Sequence, residues 1–165
     1  MIYDTASDWL VVEGAECPTC NGNKFDPTKS SYFDQVSKRT EEKTYGSFIH
    51  VTGSEVKDTV CLLEFASCVD PFKFFLVQEQ FGIPESADGI FGLAMNNTPR
   101  GFNMPSAFNL GDLYLDELRT LGYITEASFS THFTSSSSDE SFVDFGPYRE
   151  EVMSSLDDYV EIVIE

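Results

Sequence analysis

The chain has 165 residues, and its 28 acidic and 10 basic side chains give a formal net charge of −18. That charge repels phosphate backbones and anionic lipid, so neither nucleic acid nor a membrane surface is expected as a partner. No apolar run is long enough to span a bilayer, so no membrane span is expected either. Apolar residues make up 41% and aromatic residues 14%, which excludes an intrinsically disordered chain and predicts one domain, residues 1–165, with a substantial core.

Segments with strand character dominate the chain, which predicts a mostly β protein. They are short, rich in Val, Ile, Phe and Tyr, and bounded by Gly, Pro, Asn, Asp or Ser. In chain order these segments are 2–12, 44–51, 55–63, 72–80, 89–93, 129–133, 141–145 and 159–164.

Helical periodicity is clear in one place, residues 110–121, where leucines recur at helical spacing and Gly122 follows as a stop. A second short helix or turn is predicted at 148–156, and the polar run 135–140 is predicted to be a hairpin loop. Trp9, Tyr3, Tyr32 and the Phe-rich run 72–75 are expected to pack in the core or against strands.

Four cysteines fall into two local pairs, Cys17 with Cys20 and Cys61 with Cys68. An even count in local pairs predicts two short disulfides and an oxidising compartment. A four-thiolate zinc site is the rival, but the second pair has a longer spacing than zinc sites favour. The histidines, His50 and His132, show no ligand spacing, so neither a metal nor another cofactor is expected.

Two further features favour a secreted protein or one in the lumen of an acidic compartment such as a lysosome or vacuole. The many carboxylates lose their charge at low pH, which relieves self-repulsion. Asn96-Asn97-Thr98 forms an N-glycosylation sequon, which adds support for the secretory pathway.

The motifs that could carry chemistry begin with a carboxylate, Asp4, between two apolar segments. A loop carboxylate of this kind can accept hydrogen bonds from nearby N–H and hydroxyl groups, which keep it ionised and oriented. The motifs that follow along the chain are Phe25-Asp26-Pro27-Thr28-Lys29-Ser30-Ser31-Tyr32, Tyr45-Gly46-Ser47, Asp58-Thr59-Val60, Asp88-Gly89-Ile90-Phe91-Gly92-Leu93 and Phe129-Ser130.

In this order and at this spacing, the motifs resemble the N-terminal lobe of pepsin-like (A1 family) eukaryotic aspartic proteases. The resemblance covers the whole chain and implies a β-barrel-like lobe with one clear short helix. The strands that precede the first catalytic loop in that family, and the second lobe, have no counterpart in the sequence, so the lobe is expected to be incomplete at its N-terminus and to lack its partner.

The resemblance also implies roles for individual residues. Asp4 stands where the family has its first catalytic aspartate, which shares a proton and the attacking water with an aspartate from the other lobe. Thr5, Ala6 and Ser7 complete the catalytic loop, with Thr5 bracing the two loops and Ser7 bonding around the aspartate. Tyr45, Gly46 and Ser47 correspond to the flap that closes over substrate.

The sequence departs from the family pattern at several positions. Ala6 replaces the usual glycine, as it does in plant-type members. Phe48 follows Ser47 where the flap tip usually has a second glycine, and Val11 replaces the tryptophan that partners the flap tyrosine in many members.

The sequence therefore predicts an aspartic endopeptidase that acts on peptides or proteins, with this chain supplying one catalytic aspartate and the flap. Three arrangements remain open. The second lobe can be a separate or detached piece, two copies of the chain can pair so that two Asp4 residues form the dyad, or the lobe can be an inactive relative that serves as a binding or structural module. In the first two arrangements, the chain alone is expected to be inactive without a second aspartate.

Overall fold

The strands of this chain lie where apolar side chains cluster between turn residues. The computed structural model describes residues 1–63, 66–94, 111–135 and 141–147. The strands are β1 (Ile2–Asp4), β2 (Leu10–Glu13), β3 (Glu41–Tyr45), β4 (Ile49–Leu63), β5 (Ala66–Phe81), β6 (Gly89–Gly92), β7 (Phe129–His132) and β8 (Phe142–Phe145), and helix α1 spans Tyr114–Thr120.

Six strands form one mixed sheet in the order β1-β6-β2-β5-β4-β3. β1 pairs with β6 and β2 pairs with β5 in parallel, whereas β2 with β6, β5 with β4 and β4 with β3 are antiparallel. β7 and β8 form a separate antiparallel hairpin. The expected mostly β lobe with one short helix is confirmed.

The central strands are buried on both faces of the sheet. Because successive side chains of a strand point to opposite faces, Leu10 of β2 joins one apolar cluster and Val11 joins the other. Phe74 and Phe75 of β5 divide in the same way. The burial predicted for Trp9 and for most of the Phe-rich run is therefore confirmed, whereas Tyr32 is 66% exposed and its predicted packing is wrong.

Two predicted strands are wrong in their extent. The segment 2–12 is broken after Asp4, because main-chain bonds to residues 92–94 hold residues 4–9 as a loop between β1 and β2. The segment 44–51 is broken after Tyr45 by a turn in which Gly46 has a φ of 57°. This turn joins β3 to the long strand β4, which absorbs the predicted strand 55–63.

Helix α1 begins later than predicted, since residues 111–113 are not helical and Leu113, the N-cap residue, has an extended backbone. It ends at Thr120 with Leu121 as the C-cap residue, and the predicted stop, Gly122, follows with a φ of 77°, which suits the left-handed position after a helix. The N–H groups of Gly122 and Tyr123 donate to carbonyls of the last turn. The helix and strand predicted at 148–156 and 159–164 lie outside the described residues.

Candidate active site

Asp4 is the last residue of β1, and its carboxylate is held by the loop that follows. The Ala6 N–H donates to Asp4 Oδ1 over 3.0 Å, and the Ser7 hydroxyl donates to Asp4 Oδ2 over 2.6 Å. Ala6 and Ser7 follow Asp4 by two and three positions, so these hydrogen bonds close a local turn that holds the carboxylate against the chain just after it. Both oxygens therefore have an assigned donor, and the carboxylate is oriented before any ligand arrives.

A second segment, residues 92–94, ties the Asp4 loop down at both ends. The N–H of Leu93 donates to the Asp4 carbonyl over 2.8 Å, and the N–H of Gly92 donates to the Trp9 carbonyl over 2.9 Å. A further bond of 2.9 Å runs from the N–H of Ala94 to the Ser7 carbonyl. A Cβ on Gly92 would lie 2.6–2.7 Å from main-chain atoms of this loop, so only glycine allows the approach.

A second carboxylate of the same loop, Asp8, holds another part of the chain. The Gly111 N–H donates to Asp8 Oδ2 over 2.9 Å. Gly111 also lies directly against the Asp8 main chain, because a Cβ there would be 2.5 Å from the Asp8 carbonyl oxygen. Asp8 thus links the loop to the segment that leads into α1.

The hairpin of β3 and β4 brings Tyr45 towards this loop. Tyr45 is partly buried and packs against the apolar cluster that contains Trp9 and Val11. Burial raises the pKa of the Tyr45 hydroxyl, and the negative charges of Asp8 and Asp4 raise it further. The hydroxyl is buried and has no hydrogen-bond partner among the described residues. Tyr45 therefore presents a buried hydroxyl donor that nothing in the described part of the chain uses.

The other flap and loop residues predicted from sequence are more open to solvent. The side chains of Thr5 and Ala6 are exposed beside Asp4, and Gly46 and Ser47 are exposed at the turn of the hairpin. Phe48 of the same turn is 77% exposed. The structure therefore brings Asp4, Ala6 and Ser7 together by hydrogen bonds and places Tyr45 within their electrostatic reach.

Two of the other sequence motifs meet at Asp58. The Ser30 hydroxyl donates to Asp58 Oδ1 over 2.9 Å, and the Thr59 N–H donates to the same oxygen over 2.7 Å. Asp58 is only 4% exposed, so these donors offset part of the cost of burying its carboxylate. Upstream, Asp26 accepts from the N–H and hydroxyl of Thr28 and caps the short 3-10 turn that leads to Ser30.

A family model for eukaryotic aspartyl proteases matches residues 1–163. The chain belongs to this family. A search of curated proteins finds no match to it. The motifs that meet around Asp4 and Asp58 are therefore parts of an aspartyl protease lobe.

The cysteine pairing predicted for this aspartyl protease lobe agrees with the structure. The sulfur atoms of Cys17 and Cys20 lie 2.03 Å apart, and those of Cys61 and Cys68 lie 1.96 Å apart. These are bonded distances, so the alternative of a four-thiolate zinc site is wrong. No cluster of His, Cys, Asp and Glu suited to a metal ion occurs within the described residues. Asn96, the predicted glycosylation site, lies outside them.

Sequence reasoning missed two side chains near the candidate site. Asp8 was passed over, although it is a second carboxylate in the same loop as Asp4. Lys43 was also passed over, and strand alternation could have found it: if Tyr45 faces inward, Lys43 two residues before it faces inward too. Lys43 is indeed buried on the same strand as Tyr45.

Proposed function

We propose that the chain is the catalytic lobe of an aspartic endopeptidase, in which Asp4 activates a water molecule for attack on a peptide bond. The observation that carries the proposal is the preset orientation of the Asp4 carboxylate, with Ala6 bound at one oxygen and Ser7 at the other. Such preorganisation means that the carboxylate does not have to reorient when a substrate binds.

The proposed chemistry needs a second carboxylate close to Asp4. Two carboxylates at close range cannot both ionise, so one acts as the general base towards water while the protonated one donates to the carbonyl oxygen of the scissile bond. The sequence holds one Asp-Thr-Ala-Ser motif and no second Asp-Thr-Gly or Asp-Ser-Gly motif. We therefore propose that the second aspartate comes from a second lobe, and that the substrate lies between the two.

Tyr45 and its hairpin are proposed to close over that substrate. The hairpin turn at Gly46 and Ser47 is solvent-exposed, while Tyr45 at its base is held against the body of the lobe. A closing hairpin would exclude water from the reacting groups and strengthen the interactions of the carboxylates with the substrate. The Tyr45 hydroxyl is buried and has no partner among the described residues, so a bound peptide would gain this donor only if the hairpin moved.

The disulfides bear on where such a protease works. The paired cysteines suit an oxidising compartment. No helix in the described ranges has the length and apolar character needed to cross a membrane. With the acidic composition, the paired cysteines support our proposal of a secreted protein or one in an acidic lumen.

The direct test is hydrolysis of an unfolded protein at about pH 3 to 5 by the protein as isolated from its source, since paired carboxylates work in this range. We expect Asp4→Asn to reduce the rate at least a thousandfold, roughly the effect of removing a member of a catalytic group. Asp34→Asn is the matched control, because Asp34 is exposed and outside the catalytic loop, and it should leave the rate unchanged. Activity that persists in Asp4→Asn would remove Asp4 from the mechanism.

Intact and native mass measurements on the same sample separate the alternatives. Activity together with a second, different lobe supports the proposal as stated, whereas activity in a particle of two identical chains assigns the dyad to two Asp4 residues. A particle with a second lobe but no hydrolysis would instead identify the lobe as an inactive binding module.

A further inference from the structure

The outer strand of the flap hairpin, β3, carries a buried lysine. Among the described strands, β3 is at the edge of the sheet and pairs only with β4. Along it, Glu42 and Thr44 are exposed, whereas Glu41, Lys43 and Tyr45 face inward. Lys43 is the most buried residue of the strand, at 9% exposure. Lysine is rarely buried without a specific partner, so its surroundings need an explanation.

The main partners of Lys43 are two aromatic rings. Its Nζ lies 4.2 Å from the centre of the Trp9 ring and 4.9 Å from that of Phe75, both within the range of a cation–π contact. The Glu41 carboxylate is 4.0 Å away, at the outer limit for an ion pair. The ammonium is therefore held mainly by the ring faces.

The charged groups that face Lys43 come from every element around it. Glu41 on β3, Glu55 on β4 and Asp8 in the Asp4 loop attract its charge, and Lys73 on β5 repels it. Burial nevertheless dominates and lowers the pKa of Lys43. Lys73 differs from Lys43, because it is 3.4 Å from Asp112 and 5.3 Å from the Trp9 ring centre.

Trp9 connects this contact to the proposed catalytic loop. It is the last residue of the loop between β1 and β2, and its carbonyl accepts from the N–H of Gly92. Gly92 is also the residue paired with Asp4 across β1 and β6. A side chain from the flap thus rests on the residue that anchors the far end of the Asp4 loop.

We infer that Lys43 is a positioning residue that fastens the flap to the Asp4 loop through the face of Trp9, and that this fastening depends on the positive charge of Lys43. The contact itself is independent of the proposed protease function, whereas its consequence for catalysis rests on that function. When Lys43 loses its proton, β3 keeps its pairing with β4 but loses the charge that binds it to the loop.

The first experiment uses the fluorescence of Trp9, which is the only tryptophan in the sequence. In the full chain, we expect an alkaline titration to show a change in Trp9 emission below the pH at which ordinary lysines titrate. Lys43→Arg keeps its charge throughout and should lack this step, while retaining any signal from tyrosine ionisation. A step that persists in Lys43→Arg would overturn the inference.

The second experiment measures amide hydrogen exchange of residues 41–49 at neutral pH. Lys43→Met keeps a side chain of similar length but removes the charge, and it should speed exchange in this hairpin about tenfold, the effect expected of a desolvated cation–π contact. Lys43→Arg should exchange like the wild type. Lys73→Met is the matched control, because Lys73 lies over the same ring but belongs to β5 and not to the hairpin turn and β3. Unchanged or slower exchange in Lys43→Met would refute the fastening.

A kinetic arm separates the fastening from the proposed function. In active protein, Lys43→Met should raise KM more than it lowers kcat, because it loosens the flap without touching Asp4, and Lys43→Arg should restore KM. If the exchange results hold but no variant or wild-type sample hydrolyses peptide, the fastening stands and the proposed function fails. If exchange rates and KM are both unchanged in Lys43→Met, Lys43 has no positioning role.

Discussion

Replacing Gly92 with alanine tests whether close packing beneath the Asp4 loop determines its geometry. A Cβ at position 92 would meet the Trp9 nitrogen at 2.6 Å and main-chain atoms of Ser7 and Asp8 at 2.7 Å. These neighbours are main-chain atoms and cannot rotate away as a side-chain tip would. The loop must move away from β6, or β6 must move away from the loop.

The expected loss of unfolding free energy has two sources, the close contact and the hydrogen bonds that cross it. Overpacking in a tight site costs about 1–3 kcal/mol. Three main-chain bonds cross this contact, from Gly92, Leu93 and Ala94, and loss of one adds about 1 kcal/mol. We therefore expect Gly92→Ala to lower the free energy of unfolding by about 2–4 kcal/mol, a large part of the stability of a typical domain.

Urea unfolding of the wild type and two variants provides the assay. The comparison variant is Gly122→Ala, whose cost is conformational only, because Gly122 has a φ of 77° but no atom within 4 Å of an added Cβ. Gly92 has the opposite character, with close neighbours but no left-handed φ. Gly122→Ala isolates the backbone cost of alanine in a left-handed conformation, about 1 kcal/mol. If Gly92→Ala is no more destabilising than Gly122→Ala, the packing argument for the Asp4 loop is wrong.

Three further predictions concern single hydrogen bonds. Ser7→Ala removes the hydroxyl that donates to one oxygen of the proposed catalytic carboxylate. It should lower kcat about tenfold with little change in KM. Ser7→Thr keeps a hydroxyl and should restore the rate. Ser30→Ala should destabilise the fold by about 1–3 kcal/mol in thermal or urea unfolding, because buried Asp58 loses a donor; equal stability of the two proteins would contradict this. Main-chain donation from Asn23 lowers the pKa of Asp88, so the stability that Asp88 contributes is present above its ordinary pKa and is lost as the pH falls through its lowered value. Asp88→Asn should therefore be less stable than the wild type near neutral pH. The difference in unfolding free energy should be small, because solvent screens the group, and it should disappear in acid. A difference that grows in acid would reverse the assigned sign.

Local patterns predicted most of the strands because their causes lie within the strands themselves. The apolar runs of β5 and β6 and the hairpin of β7 with β8 were all anticipated from composition and turn residues. Helix α1 was placed from its leucines and Gly122, although its start was displaced by residues 111–113, where Gly111 binds the distant residue Asp8.

The errors arose where a distant segment decides local structure. The strand predicted across Asp4 is interrupted because residues 92–94 bind the loop, and no pattern within 2–12 reveals that. The Asp4 loop itself was located only by its family resemblance, since an isolated Asp-Thr-Ala-Ser is also an ordinary turn. Lys43 escaped notice because a lysine that follows two glutamates suggests a solvated edge, and only the structure places the Trp9 ring beneath it.

The parallel pairing of β1 with β6 also has a consequence for biosynthesis. Asp4 lies near the start of the chain, yet its register partner is Gly92, and its carbonyl is bound by Leu93. Contacts this distant in sequence form late, because a long loop must close before they contribute. A chain emerging from the ribosome therefore exposes its Asp-Thr-Ala-Ser segment well before the segment that shapes it has been made. The order of synthesis itself delays the arrangement of Asp4 until most of the sheet is present to hold it.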